Sequence, residues 1–189
     1  IRQGSLFLDR KDKIQVLDTN KTYIGTVSGH PEGYGHLDIP GEPSFFIPPQ
    51  EMKNLLHGDK AEVAINGVDN RGRRIAKVIK VLEHGLTELI GRFYRHEGVN
   101  SVISENRKIT TEFMIDQDKT LKAKNLDIVR IKITQYPSDA QTAAAEVLEV
   151  FGEEMTVDIE IMQAILEHNI PHQFSKGTEK EVELIPDSV

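Results

Sequence analysis

Four short stretches of this chain recur, in the same order, at a nearly constant distance. "IGTV" at 24–27 returns as "IGRF" at 90–93, and "FFI" at 45–47 returns as "FMI" at 113–115. "GDKAEVAI" at 58–65 returns as "LDIVRIKI" at 126–133, and "AKVIKVLE" at 76–83 as "AEVLEVFG" at 145–152. Offsets of 66 to 69 residues mean that one structural unit is present twice, which sets a single-domain reading aside.

Within each unit, β-branched and aromatic residues alternate with polar ones and are cut by Gly, Pro, Asn or Asp every eight to twelve residues, the signature of short strands in an all-β barrel or sandwich. In the first unit the spacing predicts strands at 22–29, 33–39, 45–47, 60–65 and 75–82. Between the third and fourth, "PPQEMKNLLHGD" carries Met52, Leu55 and Leu56 at helical spacing, with Pro49 suited to a first turn and Gly58 to the C′ position. Three strands, a helix and two strands is the order of the OB-fold. The expected architecture is therefore all-β: two tandem five-stranded OB-fold barrels at 22–84 and 88–151, a lead-in at 1–21 and a helical C-terminal segment at 152–189. In that last segment Val157, Ile161, Met162, Ile165 and Leu166 mark one face of a helix over 157–168, stopped by Pro171. Beyond Ser175 the chain is acidic and has little to bury.

No apolar run approaches the roughly 18 residues of a membrane span. The chain begins at Ile1 without an initiating Met, so it is expected to be an internal piece of something longer. Lacking cysteine, it has no disulfide, thiolate or Cys-zinc chemistry, which fits a reducing, cytoplasmic setting. The net charge of −7 disfavours a polyanionic partner at first sight, but the acid residues concentrate beyond residue 148 and the rest is nearly neutral.

Two stretches could carry binding. In "GYGH", Tyr34 and His36 alternate onto one face, and Phe46 points outward between Phe45 and Ile47 on the next strand. Neighbouring strands would gather these three rings into an exposed cluster, which suits stacking of unpaired bases. The other reading is that the glycines relieve a barrel corner and the rings are half-buried core. Arg71, Arg73, Arg74 and Lys77 crowd a turn and the strand leaving it, either to reach phosphates or as a solvated face; Arg92 and Arg95 form a weaker cluster at the start of the second unit. His57, next to Gly58, suits a capping or packing role. His168 and His172 stand four apart, but Pro171 intervenes and no Glu follows His168 as in a zinc helix, so no metal site is expected. No nucleophile elbow, phosphate-binding loop or Asp quartet for paired magnesium ions is present, so the chain by itself is expected to catalyse nothing.

"GTVSGHPEGYGHLDI", "FFIPPQEMKNLLHGDKAEV" and "RGRRIAKVIKVLEH" with "LIGRF" resemble the tandem cold-shock region of the bacterial exoribonuclease R and ribonuclease II family. The likeness continues more loosely through "EVLEVFGE" into "DIEIMQAILEHNIPHQF". It implies processive 3′-to-5′ degradation of RNA to nucleoside monophosphates in the parent protein, with magnesium held by aspartates of a catalytic domain that this chain does not reach. It also implies that Tyr34, His36 and Phe46 occupy the ring positions of cold-shock strands. The expected partners are single-stranded RNA and the chain's own catalytic domain, with no membrane and as a monomer. His36 stands where a second Phe is usual, and "GVNSVI" in the second unit supplies no ring at Asn100 or Ser101. Mainly phosphate contacts and geometry are therefore expected of the second barrel. A stand-alone RNA chaperone and a scaffold that never touches RNA are the alternatives.

Overall fold

The computed structural model describes residues 5–8, 14–17, 21–167 and 170. Two closed five-stranded barrels follow one another. The first is built from β3 (Thr22–Gly29), β4 (Gly35–Asp38), β5 (Phe45–Ile47), β6 (Lys60–Val68) and β7 (Arg74–Glu83), in the order β3-β4-β5-β7-β6. The second uses β8 (Glu88–His96), β9 (Val99–Ser104), β10 (Glu112–Ile115), β11 (Ile128–Gln135) and β12 (Ala144–Gly152) in the same cyclic order. Each barrel has a single parallel pair, β5 with β7 and β10 with β12.

The repeats have physical causes. A Cβ on Gly25 would stand 2.6 Å from the Asp38 carbonyl, and one on Gly91 2.4 Å from that of Ile103, so both barrels exclude a side chain where the first strand crosses the second. Asp59 and Asp127 immediately precede β6 and β11, and each carboxylate accepts the amide three residues back, from Leu56 and Lys124, both at 2.8 Å. The residue before each aspartate has positive φ: Gly58 at 92° and Leu126 at 75°. Glycine meets that demand freely and leucine at a cost of about 1 kcal/mol or more.

Several expectations change. The lead-in at 1–21 contains an antiparallel pair, β1 (Ser5–Leu8) and β2 (Ile14–Leu17), which the sequence reading did not foresee. The helix α1 spans only Pro49–Met52 and gives way to turns. Those turns let Leu55 enter the core of the first barrel while Leu56 enters the core of the second.

The terminal helix α2 (Val157–Glu167) forms where expected, but its packed face is Ile159, Met162 and Leu166, set against Ile90, Ile128, Phe151 and Met155. Val157 and Ile161 are exposed at 70% and 54%, so the anticipated face is only partly the buried one. Pro171, His168, His172 and the acidic end beyond Ser175 lie outside the described residues.

The barrels meet at a closely packed joint. The buried Asp59 carboxylate accepts the amide of Gly85 at 3.0 Å, and His84 Nδ1 lies 3.3 Å from the same oxygen. The His84 ring lies flat on Tyr136, with centroids 3.5 Å apart and planes 2° apart, and the Tyr136 hydroxyl donates to the Leu86 carbonyl at 2.8 Å. Gly85 sits so close that a Cβ there would be 2.2 Å from the Gly58 carbonyl oxygen. Asn54 Nδ2 donates to Asp139 Oδ1 at 2.7 Å, a further link between the barrels.

Candidate nucleic-acid interface

On the outer face of the first barrel, alternation turns Leu37, Phe45 and Ile47 fully inward and His36 and Phe46 out. His36 and Phe46 are cross-strand partners in register, which sets their rings side by side with centroids 6.1 Å apart. Tyr34, just before β4, completes the group at 5.6 Å from His36 and 5.5 Å from Phe46. The three rings singled out in the sequence therefore form one half-buried cluster.

A fourth ring was not anticipated. The turn after β3 closes through His30 N donating to the Tyr34 carbonyl and Gly33 N to the His30 carbonyl, with Gly33 at φ 84°. This folds the His30 ring onto Tyr34 in a parallel stack with centroids 4.1 Å apart. Turn residues carry no face assignment from alternation, so only the "HPEG" turn chemistry hinted at it.

Gly35 lies on the inner face, where a Cβ would meet Met52 Sδ at 2.5 Å, so it makes room for the helix that plugs the barrel end.

The basic residues separate into groups. Arg73 places its guanidinium carbon 4.3 Å from the centroid of Phe46. Asp69 fixes it there, accepting from Arg73 Nε at 2.7 Å, Arg73 N at 2.8 Å and Arg71 N at 3.0 Å. Burial alone would raise the Asp69 carboxyl, but the hydrogen bonds from Arg73 and Arg71 outweigh it and hold the group below its ordinary range.

Arg71 is exposed at the tip of this turn, and an open hollow of about 390 Å³ lies between Tyr34, Phe46, Arg71 and Arg73. Lys77 is exposed two residues beyond Ile75, the cross-strand partner of Phe46, and so shares its face. Arg74 turns to Glu42 at 3.2 Å, with its guanidinium 5.4 Å from the Phe45 ring. His36 is held below its ordinary pKa of 6.5 by burial first and then by Arg73, with His30 adding to both and Asp38 opposing, so at neutral pH it presents an uncharged ring.

The second barrel differs. Ser101 and Met114 occupy the paired positions of His36 and Phe46, and Val99 begins the strand. Its two suspected arginines bond partners within the chain. Arg92 donates from Nε to Glu105 at 3.0 Å and from NH1 to the carbonyls of Leu126 and Glu153. Arg95 donates to Asn100 Oδ1 at 2.9 Å and to the Ala123 carbonyl, and Asn100 continues to Gln117. These contacts brace the barrel. His57 accepts from Gly29 N at 3.4 Å, in keeping with a packing role.

Comparisons with known proteins follow the same division. Residues 25–81 match the family described as ribonuclease B OB domain and residues 102–175 that of the cold shock domain. The chain is 33% identical over 192 residues to ribonuclease R of Acidithiobacillus ferrooxidans, covering all of this chain and 44% of that protein. It is 27% identical over 189 residues to ribonuclease R of Escherichia coli strain K12, covering all of this chain and 23% of that one. The chain thus spans less than half the length of these relatives.

Among solved structures, Mycoplasma genitalium RNase R in complex with ribose methylated single-stranded RNA superimposes with a TM-score of 0.69 at 15% identity, over 88% of this chain and 27% of that one. Yeast Ssd1, a pseudonuclease, does so at 0.63 and 11% identity, over 80% and 25%. At such identities the likeness is one of fold. Sequence and architecture together place the chain in the exoribonuclease R and ribonuclease II family, as its tandem cold-shock, OB-fold region.

Proposed function

We propose that this chain is the single-stranded RNA-binding region of a processive 3′-to-5′ exoribonuclease, and that it guides RNA toward the hydrolytic part of the full protein. The observation that carries this reading is the ring array of His30, Tyr34, His36 and Phe46 on one face, with Arg73 held over Phe46. Stacking of bases on exposed rings is indifferent to sequence and worth about 1–3 kcal/mol per base, which suits an enzyme that must pass any RNA. Arg71 and Lys77 flank the rings and meet phosphates, contacts that position a strand without reading it. Among the described residues no three His, Asp or Glu side chains converge as metal ligands would. The magnesium implied by the family belongs to the hydrolytic part of the full protein, and no step of binding runs through it.

The test is fluorescence anisotropy of the chain with labelled single-stranded RNA across a salt series, for the parent and for Tyr34→Ala with Phe46→Ala. Binding that weakens steeply with salt and loses ~2 kcal/mol or more in the double variant is expected. Absent binding at low salt, or binding indifferent to the rings, overturns the reading.

A further inference from the structure

The first barrel does not stand alone at its ring array. The turn joining β9 to β10 lays its backbone on the last residue of β3. A Cβ on Gly29 would stand 2.2 Å from the Lys108 carbonyl oxygen, so only glycine admits the contact. The next residue is His30, whose ring stacks on Tyr34.

The turn itself is stiff. Lys108 N donates to Asn106 Oδ1 at 2.9 Å, Asn106 N to Ser104 Oγ at 3.1 Å and Ile109 N to the Asn106 carbonyl at 2.9 Å, while Ile109 is buried in the second core. At its tip Arg107 and Lys108 are exposed. Elsewhere in this barrel Arg92 and Arg95 are bound to their own chain, and Arg130 bonds Glu149 at 3.2 Å.

We propose that Arg107 and Lys108 complete the RNA-binding surface, taking phosphates of the strand whose bases stack on His30, Tyr34 and Phe46, so that one site spans both barrels. This rests on the RNA-binding reading above. It accounts for a glycine at position 29 and gives the second barrel a direct part in binding despite its lack of rings. Each ammonium or guanidinium that neutralises a phosphate of a single strand releases counterions and steepens the dependence of log affinity on log salt by about 0.7.

The experiment uses the whole chain and a labelled hexauridylate, long enough for the ring array and too short to wrap the second barrel. Arg107→Ala with Lys108→Ala is expected to reduce affinity about tenfold at low salt and to flatten the salt slope by roughly 1.4. Lys132→Ala, an exposed cation on β11, is expected to leave both unchanged. Circular dichroism and melting of all variants should match the parent, because the substituted side chains are solvent-facing. If the parent binds and Tyr34→Ala weakens it, but the Arg107/Lys108 variant binds as the parent does, the composite site is refuted and the ring array stands. Equal losses from Lys132→Ala would reduce the effect to general electrostatics and refute it too. Failure of the parent to bind at all overturns both readings together.

Discussion

Leu55 and Leu56 are consecutive in sequence and belong to different cores. Leu55, 2% exposed, packs with the first barrel, and Leu56, 1% exposed, packs with Leu86, Leu89 and Phe93 of the second. Truncating either leucine to alanine removes three carbons, a methine and two methyls, from a closed core and leaves a void, at a cost of about 2.7–5 kcal/mol. In a chain of this size each kcal/mol lowers the melting temperature by about 2–4 °C, so either variant melts roughly 6 to 20 °C below the parent. The distinctive outcome is where the loss falls. Native-state hydrogen exchange should show Leu55→Ala releasing amides of β4 and β5, and Leu56→Ala releasing those of β8 and β11, although residue 56 lies in the first repeat. If Leu56→Ala weakens only first-barrel amides, or costs under 1 kcal/mol, its side chain is no part of the second core. The picture of interlocked barrels would then fail.

Other consequences of the joint are accessible. Gly85→Ala forces a Cβ to 2.2 Å from the Gly58 carbonyl, so it should part the barrels; residual dipolar couplings that fit one alignment tensor in the parent should need two in the variant, and a single tensor in both contradicts the wedge. Burial holds the Asp59 carboxyl above its ordinary value of 3.8, against opposing hydrogen bonds from the Leu56 and Gly85 amides and the attraction of His84. A raised folded-state pKa means that the folded protein keeps this proton longer than the unfolded chain. The stability it contributes is present below about pH 3.8 and is lost as pH rises through the raised value. Asp59→Asn should therefore gain on the parent as pH rises above about 3.8 in urea melts, and a pH-independent difference would sink that account.

How much of this was legible in the sequence follows from the range of each interaction. Alternation reported the barrels because Phe45 and Ile47 must point in for Phe46 to point out, a constraint local to three residues. The same rule placed Tyr34, His36 and Phe46 together once β4 and β5 were taken as neighbours. It was silent on His30, which sits in a turn, and on the joint, because Asp59 with His84, and Leu86 with Tyr136, are 25 and 50 residues apart. The helix α2 kept its position but not its face, since Val157, Ile161 and Leu166 satisfy a helical wheel about as well as Ile159, Met162 and Leu166. Only the shape of β8 chooses between them. Charge runs were the least legible: the bonds of Arg92 to Glu105 and to the carbonyls of Leu126 and Glu153 span 13, 34 and 61 residues.

That last point separates the two barrels by a measurable rule. The duplicated unit has kept its backbone devices, Gly25 with Gly91 and Asp59 with Asp127, while the outer positions have diverged from rings to Val99, Ser101 and Met114. Arg92 and Arg95 of the second barrel bond within the chain. Arg92 ties β8 to Glu105 and to the carbonyls of Leu126 and Glu153, and the Leu126 carbonyl belongs to a residue held at a φ that leucine resists. Arg92→Ala leaves those acceptors to water and one strained turn without its clasp. With a side chain about a quarter exposed, the expected cost is about 1–2 kcal/mol, below that of a fully buried charged network. Chemical denaturation should register that loss while anisotropy with single-stranded RNA, measured where the variant remains folded, stays at the parent value. Arg71→Ala should do the reverse, weakening binding and leaving the melt in place. If Arg92→Ala instead weakened binding at unchanged stability, Arg92 itself would face RNA, and its assignment as a brace of the second barrel would be wrong.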